Sequence, residues 1–147
     1  MFPDFSKRSS SIEIMDDLSC SGEVLHQTLQ ELDIINQLLG GNRVTLQGLQ
    51  VLLKESGVNR SLHIADLGCG SGEMLKIVAL NFRMTNPQSK FEGIDANSNI
   101  VRYAQRHVSD FSEISIAAED VLNDDFRARK FDIILATLFL HHFSSAQ

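Results

Sequence analysis

The sequence predicts an α/β domain in which a doubly wound, mainly parallel sheet of about four strands follows an amino-terminal helical segment. Apolar residues recur at helical steps of three and four in the first part of the chain, and short apolar runs then alternate with helix-forming segments. Three glycines at alternate positions follow the first of these runs and precede a helix. Alternating strands and helices imply right-handed crossovers, and therefore a parallel sheet with helices on both faces.

Two amphipathic helices are predicted before the sheet. The first covers residues 24–39 and ends at the glycine pair 40–41, and the second covers about 45–54 with Gly57 beyond its end. The apolar face of the first helix consists of Leu25, Leu29, Leu32, Ile35 and Leu39. The apolar face of the second consists of Leu46, Leu49, Leu52 and Leu53. We interpret residues 1–58 as a tail and helical lid, and residues 59–147 as the ligand-binding domain.

Four strands are predicted in the second part of the chain. They cover residues 62–67, 91–95, 114–118 and 131–136, with helices at 73–84 and about 98–107 and a short irregular segment before the fourth strand. The chain ends just after that strand, so its outer edge is expected to lie unpaired. An unpaired apolar edge favours association, and we expect a homodimer through the edges of strand four.

Composition limits the partners and the location that we expect. The formal net charge of −6 and the pI of about 5.2 argue against nucleic acid and against an anionic membrane surface. The amino terminus lacks the uninterrupted apolar segment of a signal peptide, which favours a cytoplasmic location. Cys20 and Cys69 have neither a metal-binding nor a disulfide spacing, so no metal site is predicted.

The glycine turn "DLGCGSGEML" indicates where a ligand binds. Gly68, Gly70 and Gly72 allow positive φ and a close approach to the backbone, and amides at a helix start can receive a carboxylate. The dinucleotide pattern would need glycine or alanine at position 73, which is Glu73. Asp66, at the end of the strand, favours a ligand with an amino or sulfonium group.

Two further acidic residues at strand ends indicate a nucleoside. Asp95 in "GIDAN" follows the second strand and is placed to accept hydrogen bonds from both ribose hydroxyls. Asp120 follows the third strand, where it can accept a hydrogen bond from an exocyclic amine while the next amide meets the ring. Glu119, Asp124 and Asp125 are interpreted as parts of a solvated loop.

These residues resemble four ordered motifs of the class I S-adenosylmethionine-dependent methyltransferases: "DLGCGSG", "GIDAN", "AEDVL" and "FDIILATLFLHHF". The resemblance implies a Rossmann-like domain that binds S-adenosylmethionine and releases S-adenosylhomocysteine. It places the methionine portion of the cofactor at Asp66, Gly68, Cys69, Gly70 and Gly72. It places the ribose at Asp95 and Ala96, the adenine at Asp120 and Val121, and the floor below the methionyl group at Ala136, Thr137 and Leu138. The family fold has seven strands, so its carboxyl-terminal half is expected to be absent from this chain.

The resemblance implies methyl transfer to a small-molecule acceptor, with an oxygen atom as the expected acceptor. The alternatives are a non-catalytic or partner-dependent cofactor-binding fragment, and an NAD-dependent oxidoreductase. Arg43, in "GGNRVT", is a further candidate, because it could pair with the carboxylate of the cofactor. His141 and His142 are weak candidates for a general base, with helix capping or packing as the favoured interpretation.

Overall fold

The computed structural model of this protein describes residues 17–140 and Phe143. In chain order these residues form α1 (Gly22–Leu38), α2 (Gly41–Ser56), β1 (His63–Leu67), α3 (Glu73–Arg83), β2 (Lys90–Asp95), α4 (Ser98–His107), β3 (Ile114–Ala118), α5 (Asp124–Arg127) and β4 (Ile133–Leu135). None of the helices in this part of the chain is both long and apolar enough to cross a membrane.

The four strands form one parallel sheet in the order β3-β2-β1-β4. The chain moves outward from β1 to β2 to β3, and then returns past β1 to β4. Because right-handed crossovers in opposite directions lie on opposite faces, α3 and α4 cover one face of the sheet and α5 lies on the other. This arrangement confirms the predicted doubly wound fold. The strand order reverses between β1 and β4, where α/β sheets bind ligands at the carboxyl ends of the strands.

The two faces of the sheet carry apolar cores of very different size. The larger core packs α2, α3 and α4 against side chains that alternate along the strands, including Ile64, Phe91 and Ile116. The smaller core, on the opposite face, joins Ala65 and Ile94 to Phe126 of α5. The segment that the sequence predicts as irregular therefore contains a short helix, which begins where the Asn123 side chain accepts a hydrogen bond from the Asp125 amide.

The fourth strand is shorter than the predicted 131–136. Asp132 precedes β4, and its carboxylate accepts hydrogen bonds from the His63 amide at 2.8 Å and from the Arg60 guanidinium at 2.5 Å. These contacts hold the pKa of Asp132 down, at about 2, mainly through the Arg60 bond. Phe131 packs in the smaller core. Regular pairing is therefore confined to Ile133–Leu135, which lie opposite residues 64–66 of β1.

The predicted helical faces are only partly buried. Of the predicted apolar face of the first helix, Leu25 and Leu29 are buried, whereas Leu32, Ile35 and Leu39 are exposed. The half after Leu29 lies over a cavity instead of over the core. Gly40 and Gly57 both adopt positive φ beside α2, as the prediction of glycines at the helix ends requires. The predicted start of the second helix at about residue 45 is wrong, because α2 begins at Gly41, directly after the left-handed Gly40.

Candidate functional site

The glycine turn joins the carboxyl end of β1 to the start of α3. The amides of Gly68 and Cys69 both donate hydrogen bonds to the Ile94 carbonyl, at 2.8 and 3.1 Å, and so fasten the turn to β2. Gly68, Gly70 and Gly72 have φ values of +67°, +52° and +80°. Residues with a side chain rarely adopt these values, so the turn requires glycine at all three positions.

Tight packing on both sides of the turn gives glycine a second role. A Cβ atom at Gly68 would overlap the ring of Phe139, and one at Gly72 would lie 2.9 Å from Val108 Cγ1. At Gly93, in β2, a Cβ would lie 2.8 Å from the Sγ of Cys69. The small strand residue at position 93 therefore makes room for the side chain of the turn.

A cavity of about 900 Å³ opens beside the turn, at the carboxyl ends of the strands. One wall comes from the turn and the ends of β1, β2 and β3, and another from α1 and the segment after β4. Six acidic residues line it: Asp33, Asp66, Glu73, Asp95, Glu119 and Asp120. Among the described residues, no lysine or arginine lines this cavity. The remaining lining is largely apolar, so the cavity favours a ligand with positive charge and apolar parts.

Asp66 is the most buried of these acids, with 3% of its surface exposed. Burial, together with the nearby charge of Asp95, raises the pKa of Asp66 to about 7. Cys69 is also buried, and burial raises the pKa of its thiol well above the usual range. A positive group in the cavity would favour the ionised form of Asp66.

Asp95 and Asp120 occupy the strand ends further along the cavity. Asp95 accepts a hydrogen bond from the Asn97 amide at 2.9 Å and a longer one from the Gly70 amide at 3.4 Å. Asp120 accepts a hydrogen bond from the Leu122 amide at 2.9 Å. These local bonds orient both carboxylates, and each side chain still lines the cavity.

The segment after β4 also lines the cavity and packs against the glycine turn through Phe139. Leu138 has a φ of +53° and is the only residue other than glycine with positive φ in the described part of the chain. This strained conformation places Leu138 and Phe139 in the cavity lining. Thr137 Oγ1 lies 3.4 Å from Thr45 Oγ1, which joins this segment to α2.

Comparison with known proteins identifies the family. Residues 64–147 match a family described as "Methyltransferase domain", over more than half of the chain. The chain belongs to this methyltransferase domain family. The resemblance inferred from the four motifs is therefore confirmed.

One curated relative shows how much of a longer protein the domain covers. The chain is 27% identical over 110 residues to the phosphoethanolamine N-methyltransferase of Plasmodium falciparum (isolate 3D7). The aligned region covers 73% of this chain and 40% of that protein. The methyltransferase domain described here thus spans about two fifths of the length of this relative.

Solved structures confirm the fold. The plantazolicin methyltransferase BpumL, in complex with SAH and a desmethyl plantazolicin analogue, matches with a TM-score of 0.56 at 17% identity, over 75% of this chain and 40% of that one. The CurJ carbon methyltransferase matches with a TM-score of 0.54 at 18% identity, over 65% of this chain and 26% of that one. At these identities the likeness is one of fold.

Most of the site residues predicted from the sequence lie around this cavity. The residues that line it are Asp66, Gly68, Cys69, Gly70, Asp95, Ala96, Asp120, Val121, Thr137 and Leu138. Gly72, Ala136 and Arg43 are not part of the lining; Gly72 precedes α3, and Arg43 is exposed while its neighbour Asn42 lines the cavity. His141 and His142 lie outside the described residues. The roles assigned to all these residues remain predictions.

Several lining residues were not predicted. Asp33 and Asn36 reach the cavity from α1, and Phe139 reaches it from the segment after β4. Glu119, interpreted as part of a solvated loop, lines the cavity and accepts a hydrogen bond from Arg129 at 2.9 Å. The polar Asp33 and Asn36, which interrupt the apolar residues of the second half of α1, were the available signal that this part of the helix faces something other than a core.

Proposed function

We propose that this methyltransferase domain binds S-adenosylmethionine and transfers its methyl group to a small-molecule acceptor. The observation that carries the proposal is the cavity at the carboxyl ends of the strands, in which Asp66, Asp95 and Asp120 surround the glycine turn. Bound S-adenosylmethionine supplies a methyl group that is already activated by the positive sulfonium sulfur.

The residues of the cavity fit this cofactor. The left-handed Gly70 leaves open space above the backbone, because a Cβ there would meet only Leu29 Cδ2, at 3.7 Å. The excess of carboxylates suits the sulfonium and ammonium charges of the cofactor. A volume of about 900 Å³ falls within the range of small-molecule sites.

Each group of residues has a binding or orienting role in this proposal. Asp95 accepts hydrogen bonds from the ribose hydroxyls, Asp120 and the Val121 amide hold the adenine, and Asp66 faces the positively charged end. The lid residues of α1 exclude water from the cavity. Because the methyl group is activated by the cofactor itself, the main contribution of the protein is alignment, which can lower a barrier by roughly 7 to 11 kcal/mol.

The atom that accepts the methyl group is a finer part of the proposal. The sequence led us to expect an oxygen atom, whereas the matched relative is named as a phosphoethanolamine N-methyltransferase. We therefore treat small amines and small hydroxyl compounds as the two acceptor classes to compare. A general base is needed only where the acceptor must lose a proton before attack.

Calorimetric titration of the purified chain with S-adenosylmethionine, S-adenosylhomocysteine and NAD tests the cofactor. We expect both S-adenosyl compounds to bind and NAD to give no heat. NAD binding without S-adenosylmethionine binding would refute the proposal in favour of the oxidoreductase alternative.

Transfer of a radiolabelled methyl group tests the reaction. Phosphoethanolamine and ethanolamine represent the amine class, and a catechol represents the hydroxyl class. Labelled product from one class supports the enzyme and identifies its acceptor atom. Cofactor binding without product from any of them supports the non-catalytic or partner-dependent alternative.

A further inference from the structure

The two halves of α1 are held in different ways. In the first half, Leu25 and Leu29 pack against Ile100 of α4 and are buried. Beyond Leu29 the apolar side chains are exposed, and Leu38 has 77% of its surface accessible. In this second half, Asp33 Oδ1 accepts a hydrogen bond of 2.7 Å from the Oγ of Ser71 in the glycine turn. Packing therefore anchors the start of the helix, whereas a polar contact ties the later part to the turn.

The segment before α1 is also anchored. The side-chain amides of Asn97 and Asn99, at the start of α4, both donate hydrogen bonds to the Cys20 carbonyl, at 3.2 and 3.1 Å. Asn97 is itself buried. The segment that leads into α1 is thus fastened to α4 by these side-chain hydrogen bonds, in addition to the packing of Leu25 and Leu29.

The Ser71 side chain is held in place by further contacts. Ser71 is buried, and its Oγ also accepts a hydrogen bond from the amide of Glu73, the first residue of α3, at 3.2 Å. The Glu73 carboxylate in turn contacts His107 Nε2 at 2.9 Å and Lys76 Nζ at 3.1 Å. Because this network holds Ser71 in place, the contact opens on the α1 side, by movement of the Asp33 side chain or of the helix that carries it.

Asp33 and Ser71 lie on two walls of the cavity. Leu29, Leu32, Asp33 and Asn36 line it from α1, and Ser71 lines it from the glycine turn. Their hydrogen bond therefore connects α1 to the glycine turn across the cavity. Because both groups regain hydrogen bonds with water when they separate, the net cost of opening is far below the strength of the bond itself. The contact is suited to repeated opening and closing.

We propose that Asp33 is a positioning residue whose hydrogen bond to Ser71 holds α1 closed across the cavity and limits the rates at which S-adenosylmethionine and S-adenosylhomocysteine enter and leave. The inference rests on the proposed cofactor function. Asp33 acts through Ser71 on the position of the helix, and not as a direct ligand of the cofactor.

Stopped-flow or surface-resonance measurement of S-adenosylhomocysteine binding tests this role. In Asp33→Ala we expect the association and dissociation rate constants both to rise, by roughly tenfold, because one charged hydrogen bond that holds the closed state is lost. The dissociation constant should change much less than either rate. Asp33→Asn, which keeps an acceptor oxygen but not the charge, should lie between Asp33→Ala and the parent.

The partner and a control variant sharpen the test. Ser71→Ala should also raise both rates, and the double variant should add little to either single variant, because both remove the same contact. Glu31→Gln is the matched control, since it removes one negative charge from an exposed position of the same helix, and it should leave both rates unchanged. A rise in the dissociation rate alone would show that Asp33 binds the ligand directly, and unchanged rates would show that it gates nothing; either result overturns the proposal.

Hydrogen exchange of the ligand-free chain tests the role of the Asp33–Ser71 hydrogen bond without a cofactor. Asp33→Ala should speed exchange of the α1 amides after residue 30, while amides in α3 and α4 keep their parental rates. If the parent chain fails to bind S-adenosylhomocysteine, the proposed function fails. If exchange in α1 is unchanged by Asp33→Ala, the proposal that Asp33 holds α1 closed is refuted, whether or not the cofactor binds.

Discussion

Asp66 and Asp95 bring two carboxyl groups into one cavity from neighbouring strands. The environment treats them differently, because Asp66 is almost fully buried whereas Asp95 is half-buried and accepts hydrogen bonds from the Asn97 and Gly70 amides. Burial and the charge of Asp95 both disfavour ionised Asp66. A positively charged ligand would relieve both effects, so ligand binding and the protonation of Asp66 should be coupled.

We expect S-adenosylmethionine to bind more tightly as the pH rises through about 7, the pKa of Asp66 in the free chain. Below that pH the carboxyl is protonated, and binding must release the proton. Calorimetry in buffers of different ionisation enthalpy measures this release, and Asp66→Asn should abolish it. Binding without proton release at pH 6 would contradict the coupling.

The same shift has a consequence for stability. Because folding raises the pKa of Asp66 from 3.8 to about 7, the folded state holds more protons than the unfolded state between these values. The ligand-free domain should therefore lose stability as the pH rises from about 4 to about 7. Asp66→Asn should flatten this dependence in urea unfolding curves, and a parental slope that survives the substitution would contradict it.

Asp95→Ala should weaken S-adenosylmethionine binding without unfolding the domain. Hydrogen bonds to a charged group are worth on the order of 1.5 to 3 kcal/mol, so loss of one corresponds to at least about a tenfold rise in the dissociation constant. Asp110→Ala, at an exposed position outside the cavity, is the charge-matched control. Parental affinity in a folded Asp95→Ala variant would remove Asp95 from the site.

Gly70→Val should abolish cofactor binding. The φ of +52° disfavours a β-branched residue, and the side chain would enter the cavity. Gly70→Asn separates the two causes, because asparagine tolerates the left-handed conformation but still fills space. We expect both variants to lose binding, and tight binding by Gly70→Val would show that the turn is not the cofactor site.

The helices α1 and α2 are amphipathic by sequence but are not equally packed. Leu49 of α2 is buried in the larger core, whereas the second half of α1 turns its polar Asp33 and Asn36 toward the cavity. Gly48, in the middle of α2, is exposed and has no atom within 4 Å of the position that a Cβ would occupy. Gly48 therefore lowers the helix propensity of α2, and no packing contact requires a glycine at this position.

Gly48→Ala should stabilise the domain by about 0.5 to 1 kcal/mol, because alanine loses less conformational entropy in a helix. Thermal unfolding should show a midpoint higher by a few degrees. Gly57→Ala is the opposite control. Gly57 ends the same helix with a φ of +60°, so this substitution should destabilise the domain. A lower midpoint for Gly48→Ala would contradict the argument.

In the whole molecule, β4 pairs with β1 on one side and has no partner strand on the other side among the described residues. Its central residue, Ile134, is 53% exposed. Unpaired backbone groups beside apolar side chains favour pairing with another copy. We therefore retain the homodimer as a prediction for the 147-residue polypeptide.

Light scattering coupled to size exclusion measures this association. Ile134→Lys should shift the polypeptide toward the monomer, because charged side chains block edge pairing. Leu80→Lys, at a similarly exposed apolar position on α3, should leave the mass unchanged. A parent chain that is monomeric would refute the prediction.

The sequence by itself determined the order of the elements and most of the strand-end residues that line the cavity. The spacing of apolar residues that distinguishes a strand from a helix is a local property of the sequence. For this reason the strand at Ile114–Ala118 and the helix at Ser98–His107 match their predictions. Parallel strands end at one edge of their sheet, and for that reason the strand-end positions of Asp66, Asp95 and Asp120 were enough to predict that they lie together. The positive φ values of Gly68, Gly70 and Gly72 are also a local property, because glycine adopts this conformation readily.

Only the tertiary structure decided which side chains complete the cavity. Asp33 and Ser71 lie 38 positions apart, and no local pattern relates them. The Phe139 ring over Gly68 and the Cys69 thiol beside Gly93 likewise depend on how separate segments cross. Helical period predicts that a helix has an apolar face, but the length over which that face is buried depends on where the neighbouring helices end. In α1 only the first half packs against α4, and the rest of the helix lines the cavity.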